Sequence, residues 1–264
     1  YTLVLGVLNM LNLAQGEILT AGALVACAIL SAGGSMPAAL FASVLVCIAL
    51  SLLVEFFCFR LPRGDTQVVT TIAMGMILQN VYTGLWGSES IKFRGLSSDF
   101  AIRISTLEFN ATQILLLAIT AALMIALSLL IDRSRFGREM RALSDNRTAA
   151  RVSGVNIGRV TVLTFALSGL IAGISGVMAG MVFTSVTAFT GGTIGDKAMV
   201  AMVIGGTGSA FGAGIAGIIL GIVEILSVGY LGAEYREIVV FPLLILFLWL
   251  RPSGIFGKGR VERA

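Results

Sequence analysis

The chain alternates between long stretches without a single charge and short stretches dense in arginine. Residues 18–54 contain no Asp, Glu, Lys or Arg, and Gly33, Gly34, Ser35 and Pro37 break that run into two segments. Further uncharged runs cover residues 66–88, 113–131, 160–195, 198–223 and 238–250. A helix needs about 20 residues to cross the ~30 Å hydrocarbon layer. Residues 160–195 are therefore too long for one crossing, and the run 198–223 breaks at Gly205, Gly206, Thr207 and Gly208. The runs are continuous rather than alternating, which predicts helices and not barrel strands. The pattern predicts an all-α polytopic transmembrane helix bundle of roughly eight spans, with at least one broken helix, forming one transmembrane domain over residues 1–264. Three crossings are expected after Phe189, at about residues 191–206, 211–230 and 235–250. The apolar pattern is already under way at Tyr1, with no initiator Met and no basic leader, so a further span is expected upstream.

Arginine placement orients the bundle. Basic residues collect on the cytoplasmic side of membrane proteins. Arg60 and Arg63 follow the second span; Arg133, Arg135, Arg138, Arg141, Arg147, Arg151 and Arg159 crowd one loop; Arg251, Lys258, Arg260 and Arg263 end the chain. These 13 of the 18 basic residues are assigned to the inside, which makes the crossings alternate. Residues 87–112 and 232–237 then lie outside.

Composition narrows the class. Hydrophobic residues make up 57% of the chain and charged residues 12%, against about 25% charged in ordinary globular proteins. A soluble domain cannot cover that much apolar surface. The absence of histidine removes imidazole metal sites, Ser-His-Asp triads and imidazole relays. Cys27, Cys47 and Cys58 sit in or beside apolar runs without CxxC spacing and are expected to be small buried hydrophobes. Small residues four apart, at Gly169 and Gly173, at Gly176 and Gly180, and at Ala213, Gly217 and Gly221, predict close helix packing.

Three polar features interrupt this pattern. Residues 132–159 form the only long polar segment inside. Residues 136–143 and 146–152 are each expected to form a short amphipathic helix, with Asp145 as N-cap of the second and Gly154 just past its end. Such a pair serves equally as a docking element or as a basic topological anchor. Asn9, Asn12, Gln15 and Glu17 lie in an otherwise apolar region and predict a discontinuous helix facing a translocation path. Asp196 and Lys197 interrupt two apolar runs and are expected to be paired or to face water near the outer mouth of that path, and Glu224 poses the same question. The glycine-containing stretches 192–197 and 206–212 lack the Gly-Lys-Ser/Thr ending and the βαβ context of nucleotide loops, so this chain is not expected to hydrolyse ATP.

Gly137, Arg138, Arg141, Ala142, Asp145, Ala149, Gly154, Val155 and Asn156 resemble, in order and spacing, the cytoplasmic coupling loop of branched-chain amino acid ABC permeases of the LivH type. Residues 9–17 are similar to that family's early Asn-Phe-Ala-His-Gly-Glu motif, with Gln15 at the histidine position. Residues 75–80, 197–224, 234–236 and 252–257 resemble further family segments, so the likeness spans nearly the whole chain. The resemblance implies a non-enzymatic transport subunit of the bacterial inner membrane that forms half of a pathway for branched-chain or similar small amino acids. It implies ATPase coupling through Gly137, Arg138, Arg141, Ala142, Asp145, Ala149 and Gly154. The polar features and the resemblance together place Asn9, Asn12, Gln15, Glu17, Gln79, Asn80 and Lys197 as candidates on the substrate pathway. The implied partners are a second related permease, two cytoplasmic ATPases that bind ATP and Mg, a periplasmic binding protein and membrane lipid, with no cofactor in this chain and no nucleic acid. Urea, amides or aromatic acids are alternative substrates in the same superfamily. A stand-alone secondary transporter is the competing class, disfavoured by the few charges in the spans.

Overall fold

The computed structural model describes residues 1–8, 10–62, 66–93, 101–104, 107–206, 208–232, 234, 242, 245–247, 249, 251 and 254–256. Helix α1 (Thr2–Leu8) is followed by α2 (Gln15–Ser31), α3 (Met36–Val54) and a π-helical turn (Glu55–Arg60) that continues α3. Helix α4 (Gln67–Trp86) precedes three short strands, β1 (Ile91–Lys92), β2 (Ala101–Ile104) and β3 (Leu107–Asn110). Then come α5 (Ala111–Arg133), α6 (Arg135–Asp145), α7 (Arg147–Val152) and α8 (Ile157–Phe183). Strand β4 (Ser185–Val186), α9 (Thr190–Gly205) and α10 (Ala210–Leu231) complete the described elements. Among the described residues, five helices are long and apolar enough to cross a membrane, and α2 is a shorter apolar helix. The break expected within residues 160–195 falls after Phe183, and the break at the glycines falls at Gly206. The crossing expected at residues 235–250 lies largely outside the described residues.

Helix α2 occupies the centre, packed by α3, α8, α9 and α4. Its partners approach through small residues. A Cβ added at Gly173 would meet Val44 Cα of α3 at 2.7 Å, and one at Gly176 would meet Ala23 N of α2 at 2.8 Å. Because the backbones come this close, hydroxyls bond across helices: Ser43 Oγ donates to Gly173 O at 3.0 Å and Ser51 Oγ to Phe165 O at 2.7 Å. A membrane bundle gains little from hydrophobic exclusion between its helices, so close packing and such bonds carry their association. The glycine spacing of α8 is thus a packing face, as expected. The three cysteines are buried and free.

The two ends of the bundle differ. At one end, β1 pairs antiparallel with β4, Ile91 opposite Val186 and Lys92 opposite Ser185, which ties the end of α4 to the end of α8. Phe93 N donates to Thr184 O at 2.9 Å, and the Phe93 ring fills the space beside Gly180. Strands β2 and β3 form a separate hairpin. These ribbons modify the purely helical expectation: residues 91–92, 101–104 and 107–110 form short strands. At the other end, Arg60, Arg147 and Arg159 line one cavity of about 630 Å³ together with Glu55 and Gln67. The arginine-rich ends of α3, α7 and α8 therefore meet at one face.

Gly173→Leu forces side-chain volume into the α3 backbone and is expected to destabilise the protein by about 1–3 kcal/mol. Gly84, beside which a Cβ meets no described atom within 4 Å, accepts Leu with little change. Thermal melting in detergent distinguishes the two.

Candidate functional site

Helices α6, α7 and α8, which begin at the basic face, are capped by side chains, whereas α4, which begins there too, is not. Ser134 accepts from Gly137 N at 2.9 Å, Asn146 from Thr148 N and Ala149 N, and Asn156 from Arg159 N. Helices α2 and α9, like α3 and α4, have no side-chain cap, and Gln15 and Gly16 of α2 and Gly191 of α9 are buried where the two helices meet. A Cβ at Gly16 would strike Gly191 O, and one at Gly191 would strike Gly16 O and Thr20 Oγ1. The first turns of the two helices thus cross with backbone against backbone. Each helix N-terminus carries a partial positive charge, so the crossing concentrates positive potential in an apolar surrounding.

The segment leading into α2 is held by its own polar residues. Asn12, 1% exposed, accepts from Ala14 N at 3.2 Å and donates to Gln15 Oε1 at 3.2 Å. Gln15 Nε2 donates to Ser168 O at 3.4 Å, near the middle of α8. Leu13 N donates to Thr71 Oγ1 of α4 at 3.3 Å. The helix break predicted from Asn12 and Gln15 is present between Leu8 and Gln15, and Asn12 and Thr71 bond Ala14 N and Leu13 N within it. Asn9 lies outside the described residues.

Glu17 sits one turn further on and is 7% exposed. Tyr82 of α4 donates to its backbone oxygen at 3.1 Å. Its Oε2 is buried and has no hydrogen-bond partner among the described residues, while Oε1 lies 3.9 Å from where a Cβ would stand on Gly192. The carboxylate therefore borders the first turn of α9.

The other pathway candidates lie apart from this junction. Gln79 and Asn80 are on α4; Asn80 is exposed and donates to Met76 O at 2.8 Å. Lys197 Nζ forms an ion pair with Glu224 Oε1 of α10, the two side chains 25% and 10% exposed. Lys197 and Glu224 are thus a helix–helix pair, while Asp196 is exposed. Thr71 and Tyr82, which the sequence alone does not single out, are the α4 residues that complete the junction. Tyr82 lies one turn beyond Gln79 on the same face.

In the polar segment, α6 buries Gly137, Met140 and Leu143, and α7 buries Ala150. Asp145 does not cap α7: it is the last residue of α6, and Asn146, the next residue, is the cap. Both types cap well, and the extended backbone falls at Asn146. Gly154 follows the end of α7 with φ +83°, the left-handed position expected of it. Arg141 donates to Ile131 O and to Asp132 O and pairs with the Asp132 carboxylate at 3.5 Å. Gly137 packs on the Ile131 carbonyl. These two residues hold α6 against the end of α5. Ala142 is half-buried, whereas Arg138, Asp145, Ala149 and Gly154 are exposed, and Val152 is 85% exposed.

A multi-pass helix bundle with an uncapped polar junction in its interior and an amphipathic helix pair at its basic face is the architecture of a membrane transport subunit. The family described as branched-chain amino acid transport system / permease component matches residues 1–248, and the chain belongs to that family. It is 34% identical to the high-affinity branched-chain amino acid transport system permease protein LivH of Escherichia coli (strain K12), over 100% of this chain and 91% of the relative. It is 33% identical to LivH of Salmonella typhimurium and to the permease protein BraD of Pseudomonas aeruginosa, at the same coverage. No solved structure matched.

Lys197→Met leaves Glu224 without this cation in an apolar span and is expected to destabilise the protein by about 2.5–3.5 kcal/mol. Adding Glu224→Leu restores most of that loss, because an apolar pair of similar volume replaces the ionic one. A double-mutant cycle read by thermal melting measures the coupling.

Proposed function

We propose that this chain is one permease subunit of an ATP-driven importer of branched-chain amino acids in the bacterial inner membrane. A second related permease provides the other half of the pathway. Two cytoplasmic ATPases bind ATP and Mg, and a periplasmic binding protein delivers the substrate. The relatives named as high-affinity branched-chain amino acid transport permeases support the substrate.

The observation that carries the coupling role is the outward face of α6 and α7. Their apolar residues Met140, Leu143 and Ala150 are buried against the bundle, yet Val152 stands out from the basic face at 85% exposed beside exposed Ala149. A protruding pair of short helices with an apolar contact point fits a cleft on a cytoplasmic partner. Arg141 and Gly137 act here as the attachment of the handle to α5, so that movement imposed on α7 reaches a transmembrane helix. The junction of Asn12, Gln15 and Glu17 with α9 lies on the pathway, where irregular backbone and buried polar groups are tolerated because they line a cavity during transport.

Ala149→Glu and Val152→Asp alter only exposed positions of α7. Each is expected to abolish co-elution of the ATPases and to lower substrate uptake at least tenfold, while the permease retains its melting temperature. Affinity purification in detergent and uptake into proteoliposomes check this. Wild-type levels of both would remove α7 from the coupling interface.

A further inference from the structure

We infer that the cavity at the basic face is a binding site for an anionic phospholipid, with Arg60, Arg147 and Arg159 holding the phosphate and the acyl chains directed into the bilayer. The inference goes beyond the transport reading and does not depend on what the protein carries.

The cavity measures about 630 Å³, the size of a small-ligand site. Its cations come from distant parts of the chain. Arg60 ends the π-helical turn, Arg147 begins α7 and Arg159 lies in the first turn of α8. The i→i+5 bonding of a π-helix sets residues five apart over one another, and it brings Glu55 and Arg60 to the cavity together with Phe59. None of the three guanidinium groups forms a hydrogen bond or an ion pair with a described residue, although Arg60 is close enough to Glu55 to feel its charge. Three cations against one carboxylate leave the cavity net positive.

The start of α8 adds free donors. Asn156 Oδ1 accepts from Arg159 N, and Asn156 O accepts from Val160 N. The N–H groups of Ile157 and Gly158 precede these, have no acceptor within the helix and bond to no described residue. Both residues line the cavity. A Cβ at Gly158 would meet only Asn156 Oδ1, at 3.6 Å, so there is space above this turn. Guanidinium groups beside free amides at a helix start suit a phosphate.

Depth separates a lipid from a free phosphate. Along α8 the lining changes from Arg159 to Val162 and Leu163, a rise of about 6 Å. Leu8, Met10 and Phe59 continue the apolar wall, and the Phe59 ring packs on Phe165 with centroids 5.0 Å apart. Leu163 lies in the membrane-crossing helix and is 42% exposed, so the apolar end opens to the bilayer. A free phosphate leaves that end unfilled. Gln67 also lines the cavity, and its Oε1 is buried without a hydrogen-bond partner among the described residues. A hydroxyl of a glycerol headgroup supplies the missing donor. Basic pockets between membrane helices recognise anionic headgroups in this way.

The test uses the full-length protein, purified in dodecyl maltoside with the subunits that co-elute with it. Lipid is titrated in, and the fraction of this chain left soluble after heating is read on a gel. Dioleoyl phosphatidylglycerol is expected to raise the melting temperature saturably, whereas dioleoyl phosphatidylcholine, sodium phosphate and glycerol 3-phosphate are not. The double substitution Arg60→Gln, Arg159→Gln alters two exposed side chains and is expected to raise the half-maximal concentration at least fivefold. Should that variant not purify, Gly158→Phe decides: it fills the cavity, keeps every cation and is expected to raise the same midpoint at least fivefold. A smaller rise overturns the inference, as does the absence of stabilisation in the wild type. Equal stabilisation by phosphatidylcholine overturns it in favour of a bulk lipid effect, and equal stabilisation by sodium phosphate in favour of a free-phosphate site.

Discussion

The fold depends on how closely α8 lies against α2 and α3. At Gly22, Gly169, Gly173 and Gly176 the backbones are near enough that a methyl group would collide with a neighbour. In lipid, no water is released by bringing two apolar helices together, so contact area and hydrogen bonds must hold them. Close approach supplies both, because it lets Ser43 and Ser51 of α3 reach carbonyl oxygens of α8. The same three-helix core fixes the height of α2, since Gln15 is bonded to the middle of α8. Once α2 starts in the interior, the chain before it must be irregular, and its polar groups must be satisfied there. The junction of Asn12, Gln15, Glu17 and α9 is thus a consequence of the packing as much as a functional device.

Mechanical coupling follows from the same rigidity. α1 packs on both α6 and α8, and α6 is latched to α5 by Arg141 and Gly137. On the proposed coupling role, a displacement of the amphipathic pair reaches α5 and the short helix that precedes the junction through these contacts. The contact between α2 and α9 is backbone against backbone at Gly16 and Gly191, with Thr20 Oγ1 beside Gly191. A tight three-helix frame with one backbone-to-backbone crossing suits a protein that must open without unfolding.

The segmentation of the bundle was legible because the bilayer forbids charge over about 20 residues, and glycine clusters such as Gly33–Gly34 and Gly205–Gly206 mark where it turns. The amphipathic pair was legible from its periodicity and Gly154. Its cap was misplaced by one residue because Asp145 and Asn146 are both competent caps, and only backbone conformation chooses between them. Strands β1 and β4 have two residues each, too few to carry a period, and they pair across some 90 residues of sequence. The polar residues of the junction stood out against an apolar background, whereas Thr71 and Tyr82 did not, since a threonine and a tyrosine in α4 look like ordinary packing until α2 is placed beside them. Lys197 stood out as a charge, but its partner on α10 is a property of the fold. Arg141, expected in the coupling loop, is bound to the end of α5.

The central claim is that α6 and α7 face the cytoplasm as the handle of a nucleotide-driven motor, and its first requirement is sidedness. The native cysteines are buried, so one cysteine placed at exposed Arg151 reports the position of α7 to a membrane-impermeant maleimide. The account predicts labelling in inside-out vesicles and none in intact spheroplasts. Labelling of intact spheroplasts would place the handle outside and contradict the account.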